Sequence, residues 1–290
     1  MAQVTVGVLH PGEMGASVGA AARRCGAEVV WASAGRSAAT HARAAAAGLR
    51  DVSTLQHLVK ASEVIVSVCP PGVAADVARA VAGYRFSRVY VDANAVSPET
   101  ARKVGATVEQ GGATFVDGGI IGPPARSAGS TRLYLSGPAA QQVAPLFKDG
   151  PLEVIVLESR AGAASALKVA FASYTKGTAA LLMAIRAFAR AEGVDAALVK
   201  EWERTLPGLP GQCEGAVRGS ARKAWRFVGE MEESATAFKA AGLPDSFHRA
   251  AAELYRRLER YKDTDKPPSL EEATAVILQL SQGEKELRPC

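Results

Sequence analysis

The residues best suited to hold an anion come early in the chain. Gly12 and Gly15 sit three apart in the turn His10-Pro11-Gly12-Glu13-Met14, which follows an apolar run and precedes a stretch of small residues. In a strand–turn–helix of this kind, glycine at 12 lets the backbone approach a pyrophosphate, and glycine at 15 lets the helix pack close to the strand. The amides around Met14 then donate to phosphate oxygens, with the helix dipole behind them. His10 stands where the G-x-G-x-x-G fingerprint has its first glycine, so the motif is incomplete. The alternative is a plain strand–turn–helix corner. A second anion-binding set follows in Trp31-Ala32-Ser33-Ala34-Gly35-Arg36-Ser37, a stretch without an acid. Proteins that take NAD place Asp or Glu at the end of the second strand to hold the ribose 2′-hydroxyl. Here Arg36 is expected to pair with a 2′-phosphate, with Ser33 and Ser37 donating to it, which selects NADP(H). The alternative for Arg36 is a solvated loop residue.

Elements that would position these residues are legible around them. The apolar runs 4–9, 28–32, 63–68 and 88–92 read as buried strands. Helical stretches are expected at 14–25 and 37–47, and a turn at Pro70-Pro71-Gly72. Strands are also expected at 114–117, 132–135 and 153–157. Strand and helix alternate up to about residue 110, which requires crossovers and a parallel sheet covered on both faces. Beyond Glu158 the strand signal stops. Residues 162–192 contain no proline and predict one very long helix, apolar around most of its circumference and therefore buried, including against a partner subunit. The remainder reads as helical, with breaks at 207–210 and 264–268. The expected fold class is α/β: a doubly wound parallel Rossmann sheet over 1–160, followed by an all-α domain over 161–290 that binds substrate and dimerises.

Bulk properties restrict the partners. A 48% hydrophobic and 22% charged chain of 290 residues builds a full core. The net charge of +5 is scattered without basic runs, which favours anionic small molecules and gives no nucleic-acid footprint. Cys25, Cys69, Cys213 and Cys290 show no CxxC spacing and the histidines do not cluster near them, so no zinc site is expected. No signal segment opens the chain and no apolar run reaches a membrane span, so a cytoplasmic location is expected.

Several segments resemble the β-hydroxyacid dehydrogenase family, which includes 6-phosphogluconate and 3-hydroxyisobutyrate dehydrogenases. Gly7 to Gly15 is similar to the family's opening, including its Met-Gly pair. Asp92-Ala93-Asn94-Ala95-Val96-Ser97-Pro98 resembles the loop after the fourth long strand, and Asp117 to Gly122 the glycine-rich substrate loop. Gly162 to Lys168 looks like the segment that carries the catalytic lysine. Tyr174-Thr175-Lys176-Gly177 resembles a subgroup whose C-terminal domain is assigned only by likeness to phosphogluconate dehydrogenase and whose substrates are poorly defined.

The resemblance implies that Lys168 is the general acid/base. Hydride transfer to a carbonyl leaves negative charge on oxygen, which an ammonium stabilises and protonates. Partial burial among Ala164–Ala172 would lower its pKa toward the working range; the alternative is a lysine snorkelling to solvent. Asn94, Tyr174 and Lys176 are the expected substrate contacts. Gly118 and Gly119 join them, either as an amide nest for a carboxylate or as a tight crossover needing glycine. Asn94 also suits the nicotinamide ribose, with an ordinary Asn turn as its alternative. Cys69 and Pro70 should line the cofactor groove, Cys69 as a packing residue rather than a nucleophile. The family's asparagines three and four residues past its lysine are Phe171 and Ala172 here, so one polar arm to the substrate is missing.

The expected activity is hydride transfer between NADP(H) and a C–O centre of a small carboxylate-bearing hydroxy or keto compound. An imine reductase on the same scaffold is the close alternative, although those usually replace the lysine. A noncatalytic NADP(H)-binding regulatory protein is the third reading. In the resembling family the long helix links two subunits, which implies a homodimer.

Overall fold

The computed structural model of the chain describes residues 3–148 and 150–279. Cys290 lies outside the described residues; Cys25, Cys69 and Cys213 form no disulfide. The chain divides into two compact units between Val169 and Ala170. That division lies inside a helix, nine residues beyond the boundary expected from the end of the strand signal.

The first unit carries one eight-stranded sheet. Its elements alternate as β1 (Thr5–Leu9), α1 (Glu13–Arg24), β2 (Glu28–Trp31), α2 (Ala38–Ala46), β3 (Arg50–Asp51), α3 (Leu55–Ala61), β4 (Val64–Ser67), α4 (Ala74–Gly83), β5 (Val89–Asp92) and α5 (Pro98–Gln110). Then come β6 (Thr114–Ile121), β7 (Thr131–Ser136), the short α6 (Ala140–Val143), β8 (Leu152–Val156) and the start of α7 (Ala163–Ala191). The strand order is β3-β2-β1-β4-β5-β6-β7-β8. All neighbours are parallel except β6 and β7, where the chain returns as a hairpin. The order reverses between β1 and β4, which is the Rossmann switch point.

Valine-rich strands are stable here because both faces are covered. Val6, Val8, Val29, Val64 and Val66 enter one apolar core together with Val18, Ala21 and Ala22 of α1. Leu9, Val30, Ile65, Tyr90 and Phe115 enter the opposite core with α3, α4 and α5 residues such as Leu58, Val81 and Val104. Sequence reading missed β3 and α3. A two-residue strand has no period to detect, and α3 spans only seven residues.

Strand β6 is longer than expected. Gly118 and Gly119 belong to it and pair with Leu135 and Tyr134 of β7, so the expected glycine loop and amide nest are corrected: these residues are strand, with no positive φ. Their lack of side chains serves packing. A Cβ on Gly119 would lie 2.6 Å from the Ala164 carbonyl oxygen, and one on Gly118 3.1 Å from that of Asp92.

Asp117 fastens the start of α7 to this strand. Its buried carboxyl accepts hydrogen bonds from the Ser136 hydroxyl (2.9 Å), the Gly162 amide (2.9 Å), the Ser165 amide (3.0 Å) and the Ser165 hydroxyl (2.5 Å). Ser136 in turn accepts from the Ala164 amide at 3.1 Å. Orphan amides of a helix start are thereby satisfied by strand side chains.

The second unit is helical, as expected. It holds the rest of α7 with α8 (Asp195–Thr205), α9 (Leu209–Ser220), α10 (Ala224–Ala240), α11 (Ser246–Arg257) and α12 (Leu270–Leu278). Met183, Met231, Tyr255 and Leu258 are its largest fully buried side chains. Arg186 and Asp195 form a two-pronged pair, Nε to Oδ1 at 2.6 Å and Nη2 to Oδ2 at 2.9 Å, that ties α7 to α8. Among the described residues no helix is long and apolar enough to cross a membrane.

Replacing Asp117 by alanine would strand two hydroxyls and two amides in a dry interior. The expected cost is about 3–5 kcal/mol, read as a loss of roughly 10 °C in Tm by calorimetry. A variant within 1 °C of the parent would show that α7 is held by other contacts.

Candidate functional site

Four segments end together at the carboxyl edge of the parallel strands. They are the turns after β1, β2, β4 and β5, the edge at which open α/β sheets bind ligands. Each was reached from the sequence, and each has its own geometry.

In the first turn the Gly12 amide donates to the His10 carbonyl at 2.7 Å. Gly15 is demanded by packing, since a Cβ there would lie 2.6 Å from that same carbonyl. Gly12 is different. A Cβ at Gly12 would meet nothing within 4 Å, so the fold does not require glycine there. Open space before an amide-bearing turn is what a phosphate needs. No side chain caps α1, whereas α2, α3 and α5 are capped by Ser37, Thr54 and Ser97. Its first amides therefore remain available to an anion. Pro11 is buried, Met14 half-buried and Glu13 exposed.

The second turn brings Arg36 to the same place. His10 and Arg36 line one cavity of about 320 Å³, with Leu9, Ala32, Ala34, Thr54, Leu55, Asp76, Val77 and Ala80 among the other walls. Its walls are mostly apolar, and of its two charged residues Asp76 is paired with Arg79 while Arg36 is exposed, which suits an adenosine bearing an anionic group. Ser37 is occupied as the α2 cap, accepting from the Thr40 amide at 3.3 Å. Ser33 hydrogen-bonds to Asp51 on the neighbouring strand: burial pushes the Asp51 carboxyl up, and the bonds from Ser33 and Ser53 outweigh it and hold it below its usual range. The stretch 31–37 at the end of β2 holds no acid, as read, but β3 supplies one beside it. Pairing between β2 and β3 aligns Trp31 with Asp51, which residue order does not reveal. Arg43, also missed, donates to the Thr40 hydroxyl at 3.1 Å and to the Pro11 carbonyl at 3.5 Å, so it ties α2 to the first turn.

At the ends of β4 and β5, Asn94 is buried and fully engaged. Its Oδ1 accepts from the Cys69 amide at 2.5 Å, and its Nδ2 donates to the Ser67 hydroxyl at 3.1 Å and to Asp92. The side chain thus clamps the two turns to each other. Burial pushes the Cys69 thiol up to about 12, which suits a packing residue and not a nucleophile. Pro70 is exposed at the head of the turn before α4.

Lys168 belongs to the first unit and is half-buried, one turn beyond the Ser165–Asp117 anchor. A Cβ on Gly119 would come within 3.2 Å of its Cβ. Asp117 pairs with Asp92 at the end of the parallel register, and Gly119 lies two residues beyond it, so Lys168 stands at the same carboxyl edge as His10, Cys69 and Asn94. Tyr174 and Lys176 belong to the second unit. Tyr174 is 73% exposed on α7. Lys176 is neither solvated nor unengaged: it pairs with Glu230 of α10, lies 4.9 Å from the Phe227 ring centre, and its carbonyl accepts from the Tyr255 hydroxyl at 2.8 Å. Phe171 is exposed and Ala172 buried.

Comparison with known proteins agrees with this architecture. Residues 5–155 match the family described as the NAD binding domain of 6-phosphogluconate dehydrogenase, and residues 189–258 match a domain of unknown function (DUF1932). An uncharacterized 28.5 kDa protein of Methanothermus fervidus is 33% identical over 69% of this chain and 78% of its own length. A solved conserved protein of unknown function, described as structurally similar to 3-hydroxyacid dehydrogenases, is 27% identical over 89% of this chain and 98% of its own, with a TM-score of 0.65. The 3-hydroxyisobutyrate dehydrogenase of Salmonella typhimurium shares the fold at 17% identity over 95% of this chain and 99% of its own, with a TM-score of 0.67. With more than half of its length matching the first of these families, the chain belongs to that family, a nicotinamide-dependent oxidoreductase built from an NAD-binding Rossmann unit and a helical C-terminal unit.

Proposed function

We propose that the protein is an NADP(H)-dependent oxidoreductase acting on a C–O centre of a small, carboxylate-bearing hydroxy or keto compound, with Lys168 as general acid/base. One observation carries the reading: a half-buried lysine stands at the carboxyl edge of the Rossmann sheet, anchored through Ser165 and Asp117. A bound nicotinamide supplies or accepts the hydride. Lys168 donates the proton that the developing alkoxide needs, and in the reverse direction its neutral amine takes the hydroxyl proton. Asn94 acts by holding the turns after β4 and β5 in place, so Cys69 and Pro70 form a fixed wall of the cofactor groove. His10, Pro11, Gly12, Glu13 and Met14 cradle the pyrophosphate. Arg36, with Ser33 and Ser37 beside it, binds the 2′-phosphate. The Glu230 pair gives Lys176 a role within the helical unit.

Imine reduction is the second reading, favoured by Phe171 and Ala172, which offer no amide to a substrate oxygen. An imine reductase of Streptomyces aurantiacus shares the fold at 20% identity and a TM-score of 0.52.

We also propose a homodimer formed through α7. Phe171, Tyr174, Leu181 and Phe188 recur at helical spacing on its second-unit portion and are 45%, 73%, 45% and 64% exposed. A stripe of large apolar side chains along one helix face calls for a partner helix.

Four experiments test these assignments. NADPH oxidation against a panel of keto acids and cyclic imines identifies the substrate class. Lys168→Ala should lower turnover of the responding compound about 10²–10⁴-fold while leaving NADPH affinity intact; unchanged turnover would remove Lys168 from the chemistry. Arg36→Ala should weaken NADPH binding roughly 10–100-fold and leave NADH binding within about twofold. Equal losses for both nucleotides would deny a 2′-phosphate contact. In analytical ultracentrifugation, Phe188→Glu should convert a dimer to a monomer, and a dimer unaffected by it would place the interface elsewhere.

A further inference from the structure

The imidazole in the nucleotide turn is strained, half-buried and unpartnered. His10 adopts φ +63°, a region that disfavours a side chain and that glycine enters without penalty. Its carbonyl is used by the Gly12 amide and by the close approach of α1 at Gly15. Those contacts need only backbone, so the imidazole itself is unexplained by the turn. His10 lines the 320 Å³ cavity together with Arg36. Its Nδ1 is closed to solvent and has no hydrogen-bond partner among the described residues. Burial, and then the Arg36 guanidinium, push the imidazole down to about 4, so it is neutral at physiological pH.

The charged groups around it are few. Arg36 follows β2; Asp76 on α4 is bound by Arg79; Glu13 on α1 is exposed; Arg43 of α2 is bonded to the Pro11 carbonyl. Val8 and Leu9 of β1, and Thr54 and Leu55 at the head of α3, bring no charge to the cavity. Among the described residues that line the cavity, the cation is Arg36, a phosphate-binding residue type. An anion seated in the cavity would cancel the Arg36 repulsion and attract a proton to the ring, opposing both the burial and the charge that keep it neutral.

We propose that His10 reads a phosphate of the dinucleotide by taking up a proton from solvent as the dinucleotide binds, so that a charged imidazolium and Arg36 grip the anion from two sides. No covalent bond changes; one proton moves from water to the ring. The inference rests on the dinucleotide reading above and adds to it a residue that the glycine fingerprint would lack. The anion is a phosphate oxygen of either the pyrophosphate or the 2′-phosphate.

The test is NADPH and NADH affinity by calorimetry between pH 5.5 and 7, for the full-length chain, His10→Gly and His10→Asn. Both substitutions tolerate a positive φ, so they remove the titrating group without straining the turn. If binding returns the ring to its ordinary value near 6.5, wild-type affinity should rise roughly tenfold relative to either variant as pH falls from about 7 to 5.5. Wild type should also take up more protons per nucleotide than either variant, read from heats in buffers of different ionisation enthalpy. The effect with NADPH alone assigns the contact to the 2′-phosphate; the effect with both assigns it to the pyrophosphate. Identical pH dependence in all three proteins would overturn the proposal while leaving dinucleotide binding standing. Failure of wild type to bind either nucleotide at any of these pH values would overturn both.

Discussion

The carboxyl of Asp117 joins the two features on which a site at the sheet edge depends, a strand end and a helix start. It sits where β6 leaves the parallel register, and it collects two amides and two hydroxyls from β7 and the first turn of α7. Each of those donors would be costly to bury without an acceptor. The helix therefore cannot rotate or slide without breaking several bonds at once. Ser165 is fixed by two of them, and Lys168 lies one turn later, where i and i+3 share a face. Gly119 completes the arrangement, since any side chain there would push the helix off the strand. The placement of the Lys168 backbone thus follows from helix–strand packing and one buried acid.

A similar economy operates at the nucleotide turns. Asn94 spends its whole amide on Cys69, Ser67 and Asp92, and Arg43 reaches back to the Pro11 carbonyl. Loops that must meet a ligand are in this way braced by side chains that need not touch it. Preorganisation of this sort reduces the ordering cost of binding. The positions offered to a ligand are left clear of this bracing: a Cβ at Gly12 would meet nothing within 4 Å, and Arg36 is exposed.

How much of this was legible in the sequence follows from the range of the interactions involved. Strands such as 64–67 and helices such as 163–191 are declared by local composition, and their boundaries fell within a few residues of expectation. The turn after β1 was legible because strand, glycines and helix are contiguous. Gly118 and Gly119 misled, because glycine pairs signal loops locally while here they answer to a helix packed across the strand. Asp51 beside Ser33, Asp117 beside Ser165 and Glu230 beside Lys176 are separated by 18, 48 and 54 positions. Only the strand order and the helix packing bring them together, and no period in the sequence encodes either. The division between the units was displaced for the same reason: the strand signal ends before α7, but the first turns of α7 are bound to the sheet.

The departure at His10 can now be weighed against the fold that accommodates it. A left-handed side-chain residue persists only where its surroundings over-determine the backbone. Here the Gly12 amide and the tight seat of Gly15 on the His10 carbonyl do so, and they would do so equally for glycine. The turn therefore tolerates the imidazole without needing it for its shape. A tolerated strain in a residue that shares a ligand cavity with Arg36 is accounted for by the ligand, because a bound anion supplies the charge opposite to both side chains. Gly12 and Gly15 keep the geometry of a phosphate turn; His10 exchanges the conformational ease of a third glycine for a titratable wall facing Arg36.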